Sequence, residues 1–266
     1  MRISSPSEKI HAEIEAPIGW IVVDNPARRN AVDLAMWLAI PALVEALVAD
    51  DRVRVIMLRG GGEQAFVAGA DISEFETVRA TAESARGYEA SNADAFAALR
   101  HAAKPTIAMI RGFCLGGGLG LAVACDMRLS SDDAVFGIPA GRLGVGYPPE
   151  AVRDVVNLVG PSRAKDIFFT ARRLDHAEAY RIGLVDRLFP AADLFEETRK
   201  LAETIAANAP LTLKAAKAAI TGVAGDPLAA DWAAIKALAD ACFDSDDYAE
   251  GRAAFLEKRS PVFRGR

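Results

Sequence analysis

Apolar residues fall into short strand-length bursts through the first half of the chain and into longer helix-spaced runs through the second. Residues 9–15 and 19–23 flank a Pro-Ile-Gly turn and predict paired strands. Residues 53–58 (VRVIML) are apolar except for Arg54, and residues 106–110 follow the same pattern, as strands covered on both faces would. Each buried run ends in glycine, at Gly60-Gly61-Gly62 and at Gly112. Between the runs, Asp33 is placed to cap a helix through Val48, which Pro41 is expected to kink, and an Ala-rich stretch predicts a helix over 81–102. From Pro148 onward the spacing is helical apart from residues 184–189, and Pro161, Pro210 and Pro227 are each expected to open a helical segment. Strand-loop-helix alternation predicts an α/β fold with ligands at the strand carboxyl ends. The helical remainder suggests an oligomer surface.

Composition narrows the picture. A chain of 266 residues, 52% hydrophobic and 25% charged, fits one large α/β domain with an appendage and excludes a disordered chain. The net charge of −5 argues against a nucleic-acid partner, and no apolar run approaches the roughly 18 residues that span a bilayer. Cys114, Cys125 and Cys242 are scattered and odd in number, which fits a reducing compartment rather than a disulfide framework. His11, His101 and His176 are isolated, so no metal site is expected. The first residues lack the apolar core of a secretory signal, and the expectation is a cytoplasmic protein.

Two glycine-rich turns carry the candidate chemistry. Residues 111–120 (RGFCLGGGLG) lead from a strand into an apolar helix. Successive glycines there permit close backbone approach and leave N–H groups free at a helix start, where the dipole favours an anion or a developing oxyanion. Tight helix–strand packing is the plainer explanation of such glycines. Residues 66–72 (FVAGADI) again follow a buried strand and again leave amides sterically open. Two such donors on one carbonyl oxygen would form an oxyanion hole. Other motifs fail. The glycines at 60 and 62 lack the helix and the acid of a dinucleotide site, and neither a phosphate loop nor a nucleophile elbow occurs. Cys114, just before the glycine run, reads as a small packed thiol.

FVAGADI and the later GGG-x-x-LA pattern, with the early NPxxxNAV of residues 25–32 and the DDYxEGxxAFLEKR of residues 246–259, resemble the crotonase (enoyl-CoA hydratase/isomerase) superfamily over essentially the whole chain. The resemblance implies a spiral of ββα units over residues 1–200 with a helical trimerisation region over 201–266, assembled as a trimer or a dimer of trimers. It implies an acyl-CoA substrate, with no cofactor beyond the substrate's own coenzyme A. The thioester oxygen would rest on the backbone N–H groups of Ala70 and Gly117. Adenine would lie near Ala68 and Ile72, with Asp71 between them. Arg28, Phe255 and Lys258 would serve the coenzyme A moiety. Asp71 and Asp126 also belong to the family's common framework.

One departure changes the expected chemistry. Hydration needs two carboxylates, one to activate water and one to protonate the α-carbon. The family carries them as GGG-x-E and Q-P-E, but the matching positions here are Gly120 and Ala140. Ordinary hydration is therefore doubtful. Tyr147 and Glu150 are the substitute proton donors to consider, and Arg142 is a cation that a charged acyl group would meet. The stretch LGVGY ending at Tyr147 resembles methylmalonyl-CoA decarboxylases, whose chemistry needs an oxyanion hole but no acid pair. A histidine of those enzymes is replaced here by Ala70. A non-catalytic acyl-CoA-binding subunit is the remaining alternative.

Overall fold

Three times in succession the chain sends one strand into a large sheet, the next into a small sheet, and then turns into a helix. The computed structural model describes residues 1–74 and 76–266. Its first elements are β1 (Arg2–Ser4), β2 (Ile10–Glu15), β3 (Ile18–Val23) and α1 (Leu34–Ala49). The three units follow: β4 (Val55–Gly60), β5 (Ala65–Val67) and α2 (Ala82–Arg100); β6 (Thr106–Ile110), β7 (Phe113–Leu115) and α3 (Gly117–Ala124); β8 (Met127–Ser131), β9 (Val135–Gly137) and α4 (Ala140–Leu143). Beyond them lie α5 (Pro149–Thr170), β10 (Leu174–Asp175), α6 (His176–Arg181), β11 (Arg187–Phe189) and α7 (Leu194–Ala206). The chain ends in α8 (Pro210–Ala224), α9 (Trp232–Phe243) and α10 (Asp246–Glu257).

Among the described residues the large sheet has the order β1-β2-β3-β4-β6-β8-β11 and the small one β10-β9-β7-β5. From β3 to β11 the large sheet is parallel, and helices cover it, which is why β3 is buried at all six positions. The unit repeats as structure without repeating as sequence. Its crossover from β6 to β7 depends on Gly112, whose φ of +61° and whose approach to the Gln64 carbonyl, 2.0 Å from an added Cβ, admit no other residue.

The polar loop before α1 is anchored rather than loose. Asn30, buried at a φ of 57°, donates from its amide to the Gly61 and Ala65 carbonyls at 2.9 and 2.7 Å and accepts from the Asn25 N–H at 3.0 Å. This ties the loop to the glycines that end β4. Asp33 caps α1 by accepting from the Met36 N–H, and the helix runs on through Pro41 to Ala49. Thr81 caps α2.

Two proline expectations hold and one does not. Pro210 opens α8, and Pro161 restarts α5 after Gly160 at a φ of 78°. Pro227 instead lies in a turn, and α9 begins at Trp232 behind the cap of Asp231. The last helices pack lightly on the core. Lys217 of α8 pairs with Asp126 at 2.8 Å, but α9 buries no residue, and Leu228, Phe243, Phe255 and Leu256 are exposed. Among the described residues no helix is long and apolar enough to cross a membrane, and no His/Cys/Asp/Glu group could hold a metal ion.

Candidate active site

Parallel pairing of β5 with β7 brings the two glycine-rich turns to one edge of the small sheet. A Cβ added at Gly116 would lie 3.9 Å from the Gly69 Cα, and one at Gly118 only 2.2 Å from the Val67 carbonyl oxygen. The glycine run is therefore needed for packing, and the same close approach sets its amides beside those of the other turn. Val32 clamps the first turn. Its N–H donates to the Gly69 carbonyl and its carbonyl accepts from the Asp71 N–H, both at 2.9 Å. In the second turn the Gly116 N–H donates to the Gly137 carbonyl at 2.8 Å. Among the described residues the N–H groups between these anchors, on Ala70 and Gly117, have no protein acceptor. Gly117 is also the first residue of α3, where the helix dipole adds partial positive charge.

Both amides belong to residues lining one cleft of about 140 Å³, together with Ala68, Ile72, Ala140 and Tyr147. The Tyr147 hydroxyl donates to the Gly116 carbonyl at 3.0 Å. That carbonyl and the Gly117 N–H are opposite ends of one peptide unit, so the bond both orients and polarises the amide. The Gly120 N–H donates to the same oxygen at 3.1 Å. Burial pushes the Tyr147 phenol well above its ordinary value, so it stays protonated. The tyrosine also explains Gly120. A Cβ there would stand 2.4 Å from a ring carbon of Phe96 and 2.8 Å from the Tyr147 oxygen. The space beside position 120 is already filled.

Other expected residues disperse. Glu150 is exposed in the first turn of α5 and lines not the cleft but a second cavity of about 840 Å³, with Arg153, Lys214 and Lys217, that meets the cleft at Phe96 and Pro148. Asp71 accepts from the N–H and hydroxyl of Ser73 at 3.0 and 2.7 Å. Burial opposes its ionisation, but these bonds and the nearby Arg28 and Lys9 charges hold its pKa below the ordinary value. It braces the turn and does not line the cleft. Arg28 is exposed at the end of a short 3-10 helix, and Arg142 is exposed on α4. Phe255 and Lys258, at the end of α10, are exposed and away from the cleft lining. Cys114 is fully buried, which pushes its thiol well up and leaves it inert.

The structure adds three polar residues to the cleft: Arg79, Glu89 and Asn92. Arg79 pairs with Glu89 at 2.6 Å, and Asn92 donates to the other carboxylate oxygen at 3.3 Å. Burial raises the Glu89 pKa against the pull of Arg79 and Asn92. A signal existed in the sequence. Glu89, Asn92 and Phe96 stand at i, i+3 and i+7 of α2, which places two polar groups on its inward stripe.

The family model for enoyl-CoA hydratase/isomerase matches residues 13–266, and the chain belongs to that family. A crotonyl-CoA hydratase from Syntrophomonas wolfei is 35% identical over 260 residues, covering 96% of this chain and 98% of that protein. A short-chain-enoyl-CoA hydratase from Clostridium acetobutylicum is 34% identical, covering 93% of this chain and 94% of its own. Among solved structures, an enoyl-CoA hydratase/carnithine racemase from Magnetospirillum magneticum superposes with a TM-score of 0.91 at 37% identity, covering 98% of this chain and 97% of that one.

Proposed function

We propose that the protein is an enzyme that binds an acyl-CoA thioester with its carbonyl oxygen on the Ala70 and Gly117 N–H groups and stabilises the enolate formed there. The observation that carries this reading is the pair of amides without protein acceptors, from two turns, at one cleft. Each such donor is worth about 2.7–4 kcal/mol in a transition state that places charge on the oxygen. Similarity to hydratases of crotonyl-CoA and short-chain enoyl-CoA supports a thioester substrate. Ala68 and Ile72 border the cleft on the side where adenine would lie, and Arg28 would meet phosphate. Phe255 and Lys258 would reach coenzyme A from a neighbouring chain of a trimer or a dimer of trimers, which is also what would cover the exposed apolar residues of α9 and α10. No cofactor beyond coenzyme A is needed.

Hydration by a carboxylate pair is disfavoured, because positions 120 and 140 carry no acid and Phe96 and Tyr147 fill the space beside the first. Tyr147 acts as a positioning residue, its proton engaged with the Gly116 carbonyl, so the decarboxylase-like use of that proton is the weaker reading. Calorimetry with butyryl-CoA, followed by assays on crotonyl-CoA and methylmalonyl-CoA, tests the proposal. Binding is expected, without hydration at the roughly 10 s⁻¹ typical of enzymes. Failure to bind overturns the proposal. Hydration at that rate overturns the reading of positions 120 and 140. Binding without turnover of any thioester makes the protein a binding subunit.

A further inference from the structure

Enolate chemistry requires a group that takes a proton from the α-carbon or delivers one, and positions 120 and 140 carry only hydrogen and methyl. Among the described residues that line the cleft, Glu89 is the one carboxylate. It reaches the cleft from α2, an element that lies outside both acid-bearing motifs of the family. Its Oε1 accepts from Arg79 at 2.6 Å and its Oε2 from Asn92 at 3.3 Å. A carboxylate oxygen can accept two hydrogen bonds, so each retains a lone pair. The pair is asymmetric. The Arg79 side chain is 6% exposed and lies 4.5 Å from the Tyr88 ring centroid, whereas Glu89 is 26% exposed. Both side chains line the cleft, and the carboxylate is the more exposed of the two. Placing an ion pair on the inward stripe of a helix costs desolvation that an apolar pair would not. That cost is intelligible if the carboxylate works.

We infer that Glu89 is the proton-transfer group of this site, performing one-base chemistry on an acyl thioester: exchange of the α-proton, or movement of a 3,4 double bond to the 2,3 position. This rests on the acyl-CoA reading above. In the step, the α-carbon C–H bond breaks and the proton joins Glu89. The electron pair passes through the new C=C bond onto the thioester oxygen, which faces the Ala70 and Gly117 amides. Collapse of the enolate returns the proton to the α-carbon, or to the γ-carbon when a 3,4 double bond is present, and restores the carboxylate. No second acid and no co-reactant is consumed. Arg79 is the charged group beside Glu89, and Asn92 the neutral donor. Tyr88 precedes it on α2 and Tyr147 lines the same cleft from the segment before α5, and burial keeps both protonated. The working form is the carboxylate, so the rate falls as pH drops through a value above the ordinary glutamate pKa.

The test measures deuterium uptake at the α-carbon of butyryl-CoA in heavy water, isomerisation of 3-butenoyl-CoA, and butyryl-CoA affinity. These are measured for the unaltered protein, for Glu89→Gln and for Glu89→Asp. The expected result is a loss of about 10²–10⁴-fold in exchange for Glu89→Gln. Its affinity should stay within about twofold of the unaltered protein, Glu89→Asp should recover part of the rate, and the acidic limb of the pH profile should vanish in Glu89→Gln. Exchange in Glu89→Gln at the unaltered rate overturns the proposal, as does an unaltered protein that binds butyryl-CoA but neither exchanges nor isomerises. An unaltered protein that fails to bind overturns the acyl-CoA reading and this one with it. Should Glu89→Gln not fold, a pH profile of the unaltered protein flat through the acidic range overturns the assignment without it.

Discussion

Replacing Tyr147 with phenylalanine removes one oxygen from a half-buried ring that otherwise stays packed against Phe168, 5.3 Å away between centroids. The lost contact is a neutral hydrogen bond of 3.0 Å to the Gly116 carbonyl, worth about 0.5–1.5 kcal/mol net. That carbonyl keeps the Gly120 N–H, so no buried acceptor is orphaned and the fold should lose about 1 kcal/mol. The catalytic effect is transmitted through the peptide unit. Neighbouring hydrogen bonds strengthen one another by about 10–30%. Applied to a donor worth about 2.7–4 kcal/mol, the loss is about 0.3–1.2 kcal/mol, or about two- to eightfold in kcat. A residue that itself delivered the proton would cost about 10²–10⁴-fold. The two roles are therefore separated by an order of magnitude or more. The assay is steady-state isomerisation of 3-butenoyl-CoA, with thermal unfolding as the control. A hundredfold loss of kcat in a protein whose midpoint has hardly moved refutes the positioning role and makes the Tyr147 hydroxyl the acid.

Restoring the family's missing acid by Gly120→Glu should fail. The new Cβ meets Phe96 at 2.4 Å and Tyr147 at 2.8 Å, so overpacking should cost about 1–3 kcal/mol, read as a lower unfolding midpoint without crotonyl-CoA hydration. Acid should weaken the loop before β9. Burial acts to raise the Asp133 pKa, but the Ser131 hydroxyl, the Gly112 N–H and the nearby Arg111 hold it below the ordinary 3.8. A depressed folded-state pKa gives stability that is full above 3.8 and lost as pH falls below it, so Asp133→Asn should flatten the decline of the unfolding midpoint at the acid end. Of the three thiols, Cys114 and Cys125 are buried, the latter pushed up to about 12, while Cys242 is half-buried. A thiol reagent should therefore modify only Cys242 in the folded protein and all three after denaturation. Rapid native labelling of a second thiol would contradict the packing around α3.

Much of the frame was legible because its signals are local. Residues 106–110 read as a buried strand because only Thr106, at the start, is polar, and β6 occupies that span. Asp33 reads as a cap because a short oxygen before a helical run has one use, and it accepts there; Thr81, read only as a helix start, proves to cap α2 as well. The glycine turns were visible because close backbone approach tolerates nothing larger. What escaped is long-range. Pro227 reads like Pro210, yet it lies in the turn that joins α8 to α9, two helices that pack on each other, whereas Pro210 opens α8. Glu89 gave no motif, since its role depends on Arg79 arriving ten residues earlier from a turn and on the cleft that both border.

The same distinction explains why absence at position 120 is more than a loss. Read along the chain, Gly120 is a deleted acid, and Tyr147 is a separate residue of ambiguous use. Read in space they are one arrangement: the tyrosine oxygen would lie 2.8 Å from any Cβ at 120, so Tyr147 and the family's acid at 120 exclude one another. The glycine keeps its N–H on the Gly116 carbonyl, and the tyrosine adds a second donor to that oxygen. Two donors at one end of the Gly116–Gly117 peptide strengthen the amide at the other end, which is the end turned toward the cleft. Under the proposed function, such a site lacks the carboxylate that would handle water and gains polarisation at the oxyanion. That exchange favours proton transfer over water addition, with the proton left to a carboxylate on a different helix.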